Sequence, residues 1–120
     1  MYLYVALGGA LGSSLRYFLS NNIKSGVDFP FSTFIINVIG SFLIALIAFY
    51  AEKNKLDSRL VIFMKVGFCG GFTTFSTFAF DIFNLENNGN FLNSIFYAAL
   101  SIVFSLVAIH FARLLILGRF

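Results

Sequence analysis

Tryptophan is absent from this chain, and cysteine, histidine and proline occur once each. A single cysteine, Cys69, excludes an intrachain disulfide and says nothing about redox compartment. One histidine and five acidic residues cannot supply a Ser-His-Asp set, a metal-ligand cluster or a carboxylate pair, so an enzyme is the least favoured class. Charged residues make up only 11% of the chain, and the eight Lys and Arg behind its net charge of +3 form no basic run. Nucleic acid is therefore not an expected partner. No positive charge precedes the first apolar stretch, Met1-Tyr2-Leu3-Tyr4, which reads as a retained helix rather than a cleaved signal.

What the chain has in excess is apolar surface: 59% hydrophobic residues, 18 of them phenylalanine, with a mean hydropathy of +0.91. Lipid is the expected solvent for most of its 120 residues, which leave no room for a second domain. A spanning helix needs about 20 mostly apolar residues to cross roughly 30 Å of hydrocarbon. Four segments qualify, at about 2–19, 30–51, 60–83 and 91–117, giving an all-α membrane protein of one domain. Ser20-Asn21-Asn22 closes the first span, and Pro30 opens the second, where a missing N–H costs no intrahelical bond. Glu52 to Arg59 is expected as the central loop and Asn84 to Asn90 as the last connector, with Gly118-Arg119-Phe120 ending the fourth helix.

An even number of spans puts both termini beside the central loop. That side holds Lys53, Lys55, Arg59, Lys65, Arg113 and Arg119, against Arg16 and Lys24 on the other, which favours termini in the cytoplasm.

Polar residues are spaced as though they share faces. Gly8 and Gly12 lie one turn apart, a spacing that lets helix backbones approach closely in lipid. Arg16 and Lys65 either snorkel to the interface or line water, and for Arg16 the second option makes an anion-attracting vestibule. Thr33, Asn37 and Ser41 form a stripe on the second span. It serves as interhelical glue, or Asn37 offers two N–H donors to a dehydrating anion. The fourth span carries a row of Asn93, Tyr97, Ser101 and Ser105, again either glue or a ladder of donors for a small ion or water.

The third span is the least regular. Gly67-Phe68-Cys69-Gly70-Gly71-Phe72-Thr73-Thr74-Phe75-Ser76-Thr77-Phe78 joins a glycine pair to β-branched threonines, so a break is expected near Gly70 to Thr74. Main chain freed at membrane depth is tolerated only where it lines a cavity or binds something. Phe75 and Phe78, three apart, either pack in a core or turn their positive ring edges toward an anion.

Gly70-Gly71-Phe72-Thr73-Thr74-Phe75-Ser76-Thr77-Phe78, with Gly8-Gly9, Arg16-Tyr17 and Asn37-Val38-Ile39-Gly40-Ser41-Phe42, resembles the Fluc/CrcB fluoride channels over nearly the whole chain. The resemblance implies an antiparallel, dual-topology dimer of four-helix subunits in the inner (plasma) membrane, with two fluoride pores and a central Na⁺. It further implies that the carbonyls of Gly70 and Thr73 hold the Na⁺, and that Phe75 and Phe78 form an aromatic box. Asn37, Ser76 and Thr77 would be polar contacts, with Tyr97, Ser101 and Ser105 along the anion path and Arg16 the family's first-helix arginine. The one-sided Lys/Arg count departs from what dual insertion requires and admits a heterodimer with an oppositely biased partner. Two other classes compete. A small proton-coupled multidrug exporter needs a titratable group at membrane depth, for which only Asp81 and His110 are on offer, neither of them central. A non-transporting accessory subunit would use the same faces for packing alone.

Overall fold

The computed structural model describes residues 1–119, with Phe120 outside the described part. Among the described residues the regular elements are all helical: α1 (Tyr2–Asn22), α2 (Phe31–Asn54), α3 (Ser58–Val61), a π-helical segment (Ile62–Cys69), α4 (Gly70–Phe72), α5 (Phe75–Asn87) and α6 (Phe91–Leu117). Helical dihedrals continue from α3 through the π segment into α4, so these pieces form one rod that α5 resumes after two extended residues.

Among the described residues three stretches are long and apolar enough to cross a membrane: Phe31–Asn54, Ser58–Asn87 and Phe91–Leu117. The first helix, expected as a fourth span, has 21 residues but falls outside that set. Gly8, Gly9, Gly12, Ser13, Ser14 and Arg16 dilute its apolar character. The long dimension of the molecule, 49 Å, matches a bilayer with its headgroups, about 40–45 Å.

Helices overrun the expected loops. The second helix continues through Glu52, Lys53 and Asn54, and α3 begins at Ser58, which shortens the central loop to Lys55, Leu56 and Asp57. Glu and Lys are good helix formers, and at the helix end Lys53 Nζ donates to the Ile116 carbonyl at 3.0 Å. Lys55 then turns the chain in the left-handed region (φ 50°), and the Asp57 carboxylate caps α3 by accepting from the Arg59 N–H at 2.8 Å. The helix α5 likewise runs to Asn87, through part of the expected connector.

The elements pair as α1 on the π segment and α4, and α2 and α5 on α6. The first pairing is backbone on backbone. A Cβ added at Gly12 would collide with the Phe68 carbonyl, and one at Gly71 would come within 2.7 Å of the Gly9 carbonyl. Gly70, next in sequence, has nothing within 4 Å of its added Cβ. Gly12→Ala is therefore expected to destabilise the fold by about 1–3 kcal/mol through overpacking. Gly70→Ala should leave it unchanged or slightly firmer. Thermal unfolding in detergent checks the contrast.

Candidate functional site

The interruption of the third span is confined to Thr73 (φ −82°, ψ 158°) and Thr74 (φ −148°, ψ 120°). It therefore sits at the C-terminal edge of the expected Gly70 to Thr74 window. Gly70 stays helical at φ −63°, ψ −37°, because its neighbour Gly71 is needed for approach to α1 rather than for bending. Extended dihedrals suit the β-branched threonines.

Several of the groups freed by the break find other partners. The Thr74 N–H, which a continuous helix would aim at the Gly70 carbonyl, donates instead to Asn37 Oδ1 at 2.9 Å. Asn37 Nδ2 returns a bond to the Thr74 carbonyl at 3.0 Å. Arg16 Nε donates to the Gly71 carbonyl at 3.0 Å. Thr74 Oγ1 accepts from the Thr77 N–H at 3.3 Å, capping α5. Thr73 bonds back to the Cys69 carbonyl through both its N–H and its hydroxyl, at 3.0 and 2.9 Å. The donors that a continuous helix would send to the carbonyls of Gly70 and Thr73 have thus gone elsewhere. Two neutral oxygens left in this way suit a hard monovalent cation, yet two from one chain do not fill a coordination shell.

This geometry bears on two sequence expectations. Asn37 does not hold both amide N–H groups free, because one of them and the side-chain oxygen clamp Thr74. Arg16, for which snorkelling and a water-lined vestibule are both open from the sequence, lies against the Gly71 carbonyl.

Two cavities of about 320 Å³ each meet at Asn37, Phe75 and Phe78. One adds Gly40, Ser41, Thr73 and Thr74, and the other adds Ser101, Ser105 and aliphatic residues of α6. The Phe75 and Phe78 rings lie 5.9 Å apart at 53°, and Phe78 rests on Tyr97 at 5.2 Å. Phe75 is 79% exposed, which a residue serving only the core of this chain would not be. Ser101 Oγ is buried on the wall with no hydrogen-bond partner, a state that leaves a donor available for an ion or water. Ser41 has spent its hydroxyl on the Asn37 carbonyl at 2.8 Å.

Of the expected site residues, Ser76, Thr77, Tyr97, Arg16 and Gly70 line neither cavity. Ser76 and Thr77 hydroxyls join that of Thr74 at 3.5 and 3.2 Å. Tyr97 is fully buried and its hydroxyl donates to Asp81 Oδ2 at 2.9 Å. The sequence gives no pairing for the Tyr97–Asp81 bond between α5 and α6 beyond one signal, an acid inside an apolar run. The Thr73–Thr74 lining, set by the fold of the break, had none beyond the motif itself. Ser101→Ala is expected to leave stability within about 1 kcal/mol, since no bond is lost, and melting in detergent checks this.

The family model for "CrcB-like protein, Camphor Resistance (CrcB)" matches residues 3–113. The chain belongs to the CrcB family. Among curated CrcB relatives, the "Fluoride-specific ion channel FluC" of Rhodospirillum rubrum is 41% identical over 116 residues, covering 90% of this chain and 88% of that protein. The proteins of the same name from Bacteroides fragilis and Ignicoccus hospitalis are 38% and 37% identical, covering 89% and 88% of this chain and 88% and 86% of their own lengths. The CrcB match takes in Arg16, the Asn37 clamp, the break and both cavity walls.

Proposed function

We propose that this chain forms a passive, fluoride-selective channel that lets fluoride leave the cell across the inner membrane, working as an antiparallel dimer with two pores. The observation that carries the reading is the junction of two cavities at Asn37, Phe75 and Phe78, beside a break held open by side chains rather than closed by helix bonds. The relatives' printed name supplies the ion.

Fluoride is small and strongly hydrated, so a pore must replace its water with donors while staying too narrow for larger halides. The remaining Asn37 N–H, the Ser101 and Ser105 hydroxyls and the ring edges of Phe75 and Phe78 are uncharged. Such groups bind an anion firmly enough to admit it and weakly enough to release it. The highly exposed Phe75 and open cavity walls leave a surface for a second subunit. Across it, the carbonyls of Gly70 and Thr73 from both chains would hold a Na⁺, which supplies a fixed positive charge tying the two breaks together. With Arg16 turned inward to Gly71, Lys24 is the basic residue left in the loop opposite the termini, so an oppositely biased partner chain is the alternative composition.

A proton-coupled exporter lacks a free intramembrane carboxylate on either 320 Å³ cavity, since neither is lined by an acid. Purified protein in liposomes, read with an external fluoride electrode, tests the proposal. Rapid fluoride release with negligible chloride release supports it. Proton-driven uptake of an organic cation, or no ion release at all, overturns it.

A further inference from the structure

A surface groove of about 530 Å³ lies between α1 and the start of the third span, away from both pore cavities. Its lining is ordered by polarity: Tyr4, Asp57 and Arg59 at the end of the helices, and Leu7, Leu60 and Phe63 below them. Phe63 follows Arg59 by four residues, about one turn or ~6 Å along the rod. With the third span set across a bilayer, the groove would run from headgroup level into hydrocarbon.

Arg59 and Asp57 form the one ion pair among the described residues, Nη2 to Oδ2 at 3.3 Å with Nε to Oδ1 at 3.4 Å, and their side chains are 60% and 54% exposed. Those bonds are long, and a guanidinium has five N–H donors. Donors on Arg59 and acceptor sites on Asp57 therefore remain open toward the bilayer surface. Beyond the Asp57 cap on α3, an exposed pair of this kind contributes little to stability, and it stands at the mouth of an apolar groove.

We propose that this groove binds a zwitterionic phospholipid with a primary ammonium headgroup, a phosphatidylethanolamine. The phosphate sits on Arg59, the ammonium on Asp57, and an acyl chain along Leu7, Leu60 and Phe63. Charge complementarity picks this occupant. Positive and negative groups lie side by side, as phosphate and ammonium do in the headgroup, whereas an anionic headgroup carries no cation to offer the Asp57 carboxylate. A primary ammonium donates hydrogen bonds to that carboxylate and a trimethylated one cannot. Arg59 hydrogen-bonded beside it holds the Asp57 carboxyl below the usual carboxylate range, so it is ionised at neutral pH.

The test is native mass spectrometry of the full-length protein exchanged into detergent with phosphatidylethanolamine, its N-methylated derivatives, phosphatidylcholine or phosphatidylglycerol of matched chains. We expect retention to fall stepwise with methylation, by about fivefold from phosphatidylethanolamine to phosphatidylcholine, with phosphatidylglycerol no better than the latter. Asp57→Asn, which keeps a good cap on α3, should erase the preference, and Arg59→Gln should weaken every phospholipid. Equal retention across the methylation series, strongest retention of phosphatidylglycerol, or a preference that survives Asp57→Asn would overturn the assignment. The methylation series uses the unaltered protein and stands whether or not the variants fold.

Discussion

Replacing Phe75 or Phe78 by isoleucine is expected to abolish fluoride efflux, by at least about 100-fold, while the protein still folds and assembles. A hundredfold loss corresponds to about 2.7 kcal/mol of barrier, which the loss of ring-edge contacts to a partly dehydrated anion can supply. The packing consequence is much smaller for Phe75. It is 79% exposed within the chain and touches chiefly Phe78, at 5.9 Å between centroids, so its folding stability should change by less than about 1 kcal/mol. Phe78, resting on Tyr97, should lose somewhat more. Liposome efflux measured beside size-exclusion profiles separates the two roles. Should assembly fail in proportion to flux, both rings are packing residues and nothing more.

The second large effect is expected at Asn37. Truncation to alanine strands the Thr74 N–H and carbonyl, which Asn37 now holds at 2.9 and 3.0 Å. Each unsatisfied group costs about 1–3 kcal/mol, so the fold should lose roughly 2–6 kcal/mol unless water or a re-formed helix bond takes over. Flux should vanish in either case, because a re-formed helix closes the break and a collapsed one removes the cavity junction. Ser41→Ala is the matched control. Its hydroxyl only bonds back to the Asn37 carbonyl, so thermal stability should shift by less than about 1 kcal/mol. Melting temperatures of the two variants, taken with their efflux rates, check this ordering.

The same residues mark how far the sequence could be read. Long apolar runs made the helices of α2 and α6 plain, and the pairing of Gly8 and Gly12 with a close neighbour followed from their one-turn spacing. The break was legible as an event but displaced in position. Intrinsic propensity treats Gly70-Gly71 as the weak point, whereas tertiary approach to α1 stabilises helix there and the chain opens at the threonines. No local signal announced the π-helical turns from Ile62 to Cys69, where apolar residues with Lys65 and Gly67 carry no pattern that separates a π-helix from an α-helix. The Asn37 clamp joins residues 37 apart through a side chain and a main chain. A periodic stripe of Thr33, Asn37 and Ser41 identifies a polar face but not its partner. The loops are shorter than polarity suggests because Glu52 and Lys53 are polar and good helix formers at once.

In the proposed function, fluoride crosses through a pore driven by its own gradient alone. The most direct measurement is the reversal potential of the reconstituted protein in a planar bilayer under a tenfold fluoride gradient with chloride equal on both sides. A fluoride-selective conductance should reverse near the ideal potential, about 59 mV for a monovalent ion, and should not move when a proton gradient is imposed. A reversal potential that follows pH, or one set by chloride, would contradict the account.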